Sequence, residues 1–320
     1  MPDSTYQPPF FFANGHLQSI YPTICRRVEG VDYQREIIFT PDQDFLELDW
    51  LKQGAGSLVI IAHGLEGSSS RAYVKGMARA LHRAGFDVLA WNFRACGGTV
   101  NLQPKLYHSG FCEDLETVID HVLHSRPYSR LLLCGFSMGG NVNLLYLGRK
   151  GAAIDSRIKA CVAFSVPCDL AAGSRQIARR GNQLYMRRFL CLLHEKIKAK
   201  KAQFPELFDD QDYHLIKDFK GFDDRYTAPL HGFKNAEDYW RQCSSKPHLP
   251  DIRIPTLLIS ALDDPFLPDF CYPRSEVKRN PWLRLETPTH GGHVGFVRFN
   301  RQGCYWSESR ATAFFSDFKE

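Results

Sequence analysis

The stretch Gly135-Phe136-Ser137-Met138-Gly139-Gly140 constrains this chain more than any other. The apolar run Leu131 to Cys134 precedes it, and Asn141-Val142-Asn143-Leu144-Leu145-Tyr146-Leu147 follows. The order reads as a short buried strand, a tight turn and a helix. Glycines flank the serine because a Cβ at either place would collide with the facing strand or helix. A serine on such a turn projects its hydroxyl from the end of the sheet, and the free N–H groups of the next helix can hold a developing oxyanion. Taken alone, the pattern also fits an ordinary glycine-bracketed strand–helix turn. The two readings part on whether an acid and a histidine follow, in that order and each at a strand end.

They do. After the strand signal Leu257-Leu258-Ile259 the chain reads Ser260-Ala261-Leu262-Asp263-Asp264-Pro265-Phe266-Leu267-Pro268. Asp264 fits the frame of an acid, a spacer, two apolar residues and a proline. Asp263 sits one residue back and points the other way, and aspartates also cap loops. After the strand signal Leu283-Arg284-Leu285 comes Thr289-His290-Gly291-Gly292-His293-Val294-Gly295-Phe296. Glycines let that loop curl back toward the serine, which favours His293 and leaves His290 as a loop residue. A serine hydroxyl is a poor nucleophile at neutral pH. His293 would take its proton and return it to the leaving group, while Asp264 holds the ring in the right tautomer. The oxyanion needs two backbone donors. Met138 N–H is one, and Leu65 in His63-Gly64-Leu65-Glu66-Gly67 is expected to supply the other. His63 is expected to order that loop rather than act as a base.

Apolar residues make up 44% and charged residues 23% of the 320, ordinary values for a globular chain with a large core. The length favours one α/β domain with an insertion. A buried, parallel strand is expected at Leu58 to Ala62, a helix from Ala72 to Ala84, a strand at Val88 to Phe93 and a helix over residues 112–125. Another strand is expected from Ile158 to Val166 and a last helix from Trp306 to Phe318. A hairpin, Ile37 to Phe39 and Phe45 to Leu51, precedes them. This alternation predicts a mostly parallel sheet covered on both faces, with core segments near residues 31–169 and 251–320. Residues 1–30 read as irregular, with Pro2, Pro8, Pro9 and Pro22 as breakers. Residues 170–250 lack strand signals and hold a helical stretch, Gln183 to Lys201, and many aromatics. They read as a lid over the carboxyl ends of the strands, or else as a helical decoration.

The net charge of +5 is mild, and no basic-aromatic repeat points to nucleic acid. One basic cluster, Arg187-Arg188 to Lys201, reads as a solvated helix face, the alternative being contact with anionic lipid or phosphate. The ten cysteines show no zinc spacing. Several, such as Cys134, Cys161 and Cys191, read as small buried hydrophobes in a reducing compartment. No run is long enough to span a bilayer and no leader is visible, so a cytoplasmic location is expected. No metal set, dinucleotide motif or P-loop appears, so no cofactor is expected.

Taken together, the motifs resemble the YheT-like branch of the α/β-hydrolase superfamily, which includes ABHD-type lipid hydrolases. The residues that carry the resemblance are Asn14 to Ile20, His63 to Ser68, Trp91-Asn92-Phe93-Arg94-Ala95-Cys96-Gly97-Gly98 and Tyr107-His108-Ser109-Gly110. Gly135 to Gly140, Tyr226-Thr227-Ala228-Pro229-Leu230, Asp263 to Phe266 and His290 to Phe296 complete them. The resemblance implies an α/β-hydrolase fold with a helical lid before the penultimate core strand. It also implies a triad on Ser137, Asp264 and His293 and hydrolysis of carboxylic esters. Without the membrane anchor of the animal relatives, soluble short- or medium-chain esters are the expected substrates. Acyl transfer or thioester cleavage on the same triad, or a pocket kept only for binding, are the alternatives. Asn14 to Ile20 is expected to pack on the sheet near the site. Asn92 and Arg94 are expected to brace the oxyanion loop.

Overall fold

The protein is described here by a computed structural model covering residues 6–319. One sheet of eight strands organises it: β1 (Gln34–Phe39), β2 (Phe45–Leu51), β3 (Ser57–Ala62), β4 (Asp87–Asn92), β5 (Arg130–Phe136), β6 (Ile158–Phe164), β7 (Thr256–Ile259) and β8 (Leu283–Glu286). Their order is β1-β2-β4-β3-β5-β6-β7-β8. β2 runs antiparallel to both β1 and β4, and all other neighbours are parallel. The central strands β3 and β4 are buried at every position because both faces are covered, and their interior positions are apolar. Leu58, Ile60, Leu131 and Leu133 face one layer, with Val118 of α3 (Cys112–Ser125) and Val142 of α4 (Met138–Lys150). Val59, Ile61, Leu132 and Cys134 face the other, with Met77 of α2 (Ala72–Arg83) and Phe314 of the last helix, Trp306–Ser316.

The order of strands reverses at β3, which has β4 on one side and β5 on the other. Parallel α/β sheets bind ligands outside the carboxyl ends of such strands. In register, Ala62 stands beside Gly135, Phe136 beside Phe164, Phe164 beside Ile259, and Ile259 beside Glu286. The loops carrying His63, Ser137, Asp264 and His293 therefore leave the sheet from one edge.

Between β6 and β7 the chain builds a helical insertion that opens with α5 (Leu170–Ile177) and α6 (Gln183–Gln203). Met186, Leu190, Leu193 and Ile197 form the buried stripe of α6, packed on Phe208, Tyr213, Phe222 and Tyr226. The basic cluster of α6 is not one solvated face. Lys196 reaches Glu66 at 3.3 Å and Cys96 Sγ at 2.9 Å. Lys200 is fully buried and donates to the carbonyls of Asn101 and Gln103, each at 2.6 Å. Burial lowers the Lys200 ammonium to about 8. The heptad-like spacing continues the inward stripe of α6 through position 200, and it carries that ammonium to backbone oxygens that can accept from it.

Residues 1–30 also depart from expectation. Gly15–Cys25 is a helix, α1, with Pro22 inside it, while Pro2 lies outside the described residues. Asn14 caps α1 by accepting from Leu17 N–H at 3.0 Å. Pro22 is tolerated because α1 is held by tertiary contacts on the face that carries Gly15, Gln18 and Pro22, all buried. Cys134 and Cys161 are buried as expected, whereas Cys191 is exposed.

Candidate active site

Ser137 occupies the turn between β5 and α4 with φ 51° and ψ −116°. Such a backbone is costly for a residue with a side chain, by about 1–3 kcal/mol, and persists only where the surroundings enforce it. The surroundings do so through three glycines. A Cβ on Gly135 would lie 2.6 Å from Gly140 Cα, one on Gly139 would lie 2.4 Å from His63 O, and one on Gly140 would lie 2.6 Å from Val166. Ser137 N–H donates to Phe164 O at 2.8 Å.

Ser137 Oγ is 2.9 Å from His293 Nε2, and His293 Nδ1 is 2.9 and 3.1 Å from the two Asp264 oxygens. The carboxylate only accepts, so Nδ1 carries the proton and Nε2 is free to take one from Ser137. Asp264 is fully buried as a side chain, and Phe266 N–H donates to it at 2.8 Å. Asp263 does not join this chain. It accepts from Gly292 N–H at 2.8 Å and meets His290 Nδ1 at 3.2 Å, so the second Asp–His pair secures the loop that carries the first.

That loop is strained throughout. Val294 and Phe296 have φ of 61° and 46°, and Gly291 and Gly292 are also left-handed. Four N–H groups of the segment are accepted by side chains from three other places. Gly292 uses Asp263, His293 uses Ser19 Oγ at 2.8 Å, Val294 uses Ser165 Oγ at 3.0 Å, and Val297 uses Gln18 Oε1 at 2.9 Å. Two of the acceptors come from α1. A Cβ on Gly15 would lie 1.9 Å from Asp263 O, and one on Gly292 would lie 2.3 Å from Gly15 O. The motif Asn14 to Ile20 thus packs on the histidine loop rather than on the sheet. Sequence reasoning flagged the motif but not Gln18, Ser19 or Ser165. Its visible signal was Asn14 followed by a small residue, a helix cap that the Pro22 breaker outweighed. Replacing Ser19 with alanine leaves His293 N–H without its acceptor and is expected to lower kcat about tenfold with little change in KM. Steady-state kinetics on any turned-over ester checks this, and an unchanged kcat would remove Ser19 from the support of His293.

On the opposite side, His63 Nε2 accepts from Phe93 N–H at 3.2 Å and Nδ1 donates to Gly64 O at 2.7 Å. Both ring nitrogens are engaged, and burial pushes the imidazole down to about 3, so His63 stays neutral. Gly64 N–H donates to Tyr73 OH at 2.9 Å, and Glu66 N–H to Tyr107 OH at 3.0 Å. These bonds bracket Leu65 in a loop that passes close to the serine, since a Cβ on Gly64 would stand 3.4 Å from Ser137 Cβ. Leu65 and Met138 line one cavity with Ser137 and His293. Asn92 stands at the far end of this loop, accepting from Ser69 N–H at 2.8 Å and donating to Asp49 at 2.9 Å. Arg94 is turned elsewhere. It grips Asp114 at the start of α3 and Asp42 and Asp44 in the β1–β2 turn, at 2.7–3.1 Å.

The cavity measures about 520 Å3. The insertion supplies much of its wall, including Leu193, Phe222 and Trp240. Asn182 and Gln176 of the insertion donate to Pro265 O, and Phe266 packs 4.3 Å from the His293 ring. One acid in the wall has no cation beside it. Asp223 accepts from Thr227 Oγ1 at 2.7 Å and from Trp240 Nε1 at 2.8 Å, on a π-helical turn, Asp223–Thr227. Burial raises its carboxyl to about 7. The unfolded chain loses that proton near pH ~3.9. Between the two values the native state holds a proton that the unfolded state has released. The contribution of Asp223 to stability therefore falls as pH rises from about 4 to about 7, by up to about 1.4 kcal/mol per unit, and levels off above. Urea unfolding across that range is expected to show wild type losing stability relative to Asp223→Asn as pH rises. Parallel curves would mean that Asp223 is ionised in the fold.

Residues 57–298 match the model of the alpha/beta hydrolase fold family. The chain belongs to the α/β-hydrolase family. Within it the chain is YheT-like: it is 33% identical over 293 residues to YheT of Escherichia coli (strain K12), covering 89% of this chain and 85% of that protein. It is 29% identical to phospholipase ABHD3 of Homo sapiens, covering 94% of this chain and 76% of that one. It is 30% identical to the monoacylglycerol lipase of Saccharomyces cerevisiae, covering 85% and 61%. Among solved structures, the Pyrococcus furiosus esterase Pf2001 superposes with a TM-score of 0.59 at 19% identity, covering 99% of both chains. At that identity the likeness is one of fold.

Proposed function

We propose that this protein is a serine hydrolase that cleaves carboxylic esters with an apolar acyl group of short to medium length, through Ser137, His293 and Asp264. The observation that carries the reading is the continuous hydrogen-bond chain from Asp264 through His293 to Ser137 Oγ, with 2.9 Å at the serine, at the floor of an apolar cavity. Ser137 Oγ attacks the ester carbonyl while His293 takes its proton. The tetrahedral oxyanion forms beside the N–H groups of Leu65 and Met138. The first leaves a rigid loop and the second opens α4, where helix N–H groups have no intrahelical partner. His293 then protonates the leaving alkoxide, and water repeats the cycle on the acyl-enzyme. The names of the phospholipase and lipase relatives support ester chemistry.

The helical insertion is read as a lid because its side chains wall the cavity and its Asn182 amide donates to the carbonyl of Pro265, next to the acid. No helix among the described residues is long and apolar enough to cross a membrane. The ten cysteines are all free, which supports a reducing compartment such as the cytoplasm. A cavity of about 520 Å3 lies within the usual range for small-ligand sites. Hydrolysis of p-nitrophenyl esters from acetate to palmitate tests the proposal. A medium-chain optimum is expected, and inactivity on every member would overturn it.

A further inference from the structure

We propose that the mouth of this cavity is a docking surface for an anionic lipid–water interface, so that the ester enters from the lipid phase. This rests on the esterase reading for its purpose, though not for its geometry. Three apolar residues both line the cavity and stand in solvent: Ile24 at 73% exposure, Leu184 at 78% and Ile20 at 37%. A residue that does both marks the opening, which therefore lies between α1 and the start of α6. His16 Nδ1 meets Tyr185 OH at 3.1 Å and ties the two rims together.

The opening is apolar well beyond the cavity. Leu17, Ile20 and Ile24 follow i, i+3, i+7 spacing on α1, opposite the buried Gly15, Gln18 and Pro22. They form a stripe turned to solvent, where a surface helix normally carries polar residues. The patch continues past Tyr21, which packs 4.9 Å from Phe12 and 5.8 Å from Phe299, toward the rings of Phe10 and Phe11, 89% and 80% exposed. Contiguous exposed apolar surface of this kind marks an interaction site.

The charge around it identifies the partner. Residues 15–25 and 183–194 contain no aspartate or glutamate. Arg187 and Arg188 stand exposed on the α6 rim and Arg27 just beyond α1, and none has an ion pair among the described residues. Apolar side chains ringed by unpaired guanidiniums match a membrane surface, where the rings enter the acyl boundary and the cations meet anionic headgroups. A freely dissolved ester would need neither.

The test uses Ser137→Ala protein, so that no lipid is consumed, sedimented with vesicles of phosphatidylcholine alone or mixed with phosphatidylglycerol. Binding is expected to the mixed vesicles and to weaken at least about tenfold in Phe11→Ser/Leu17→Ser. Arg187→Ser is expected to weaken the preference for phosphatidylglycerol about fivefold. None of these three residues lines the cavity. In the Ser137 background their hydrolysis of p-nitrophenyl acetate should match wild type, which also shows that they fold. Absence of vesicle binding, or equal binding by the variants, would overturn the proposal. So would a solution dimer that Leu17→Ser dissociates, because the face would then belong to a second copy. Vesicle binding by a protein that hydrolyses no ester would sink the esterase reading and leave this one standing.

Discussion

Replacing Ser137 with alanine is expected to lower kcat on the order of a million-fold while leaving KM and the fold nearly unchanged. The size follows from the geometry. In the proposed mechanism Ser137 Oγ is the atom that forms the bond, and only its removal abolishes the acyl-enzyme route altogether. What remains is whatever the Leu65 and Met138 N–H groups and the cavity do for direct attack by water. If Ser137, His293 and Asp264 act as the proposed relay, their deletions should not add. Ser137→Ala/His293→Ala is expected to be about as slow as either single variant. Asp264→Asn should lose roughly 10^4 in kcat, since an amide at that position no longer holds His293 with Nε2 free to accept. The Asp263→Asn variant separates the neighbouring acids. It weakens the hold on Gly292 and His290 but leaves the 2.9 Å contact between Asp264 and His293, so its loss should be far smaller. Single-turnover kinetics with a chromogenic ester measures all four. Equal losses at positions 263 and 264 would mean that the assignment of the acid is wrong.

Arg94→Ala is expected to destabilise the fold by about 3–5 kcal/mol, because it strips the counter-charge from buried carboxylates. Asp114 and Asp44 are almost inaccessible to solvent, and Arg94 meets them at 2.7 and 3.1 Å. Its Asp42 contact is half-exposed and adds less. Arg94→Lys keeps the charge but not the planar fork that serves Asp42, Asp44 and Asp114 together, so it should recover only part of the loss. Well below the melting transition, kcat should stay within a few-fold of wild type, since the hydrogen bonds and ion pairs of Arg94 go to Asp42, Asp44 and Asp114 and not to residues 63–67. Thermal unfolding and kinetics on the same samples check this. A large fall in kcat with an unchanged Tm would return Arg94 to the oxyanion loop.

The distinction between Arg94 and Asn92 shows where sequence reasoning stopped. Both lie in one conspicuous stretch, Trp91 to Gly98. β4 ends at Asn92, which turns toward Ser69 and Asp49, while Arg94 lies beyond it and reaches Asp42, Asp44 and Asp114 instead. Which of two neighbouring polar side chains meets the loop that follows β3 depends on strand ends and on residues far away in the chain, and no local pattern encodes that. Lys196 and Lys200 make the same point. Their charges read as surface, yet the turn of α6 that they occupy faces the core loops, where Glu66 and two carbonyls receive them.

By itself the sequence determined the sheet and its loaded edge. Period-two and fully apolar runs report burial directly, and the glycines at 135, 139 and 140 report a turn whose contacts leave no room for a Cβ. Chain order then placed Ser137, Asp264 and His293 after the ends of β5, β7 and β8. Only the tertiary structure decided how the strained His293 loop is held. Its acceptors include Ser165 beyond β6 and Ser19 and Gln18, up to 279 residues distant in the chain, on a helix that Pro22 disguised. Only the tertiary structure, too, set that helix beside α6 and left Leu17, Ile20 and Ile24 turned outward at the cavity mouth. Local periodicity shows that a helix has an apolar stripe. Whether the stripe meets the core or the solvent is settled by which face the rest of the chain covers.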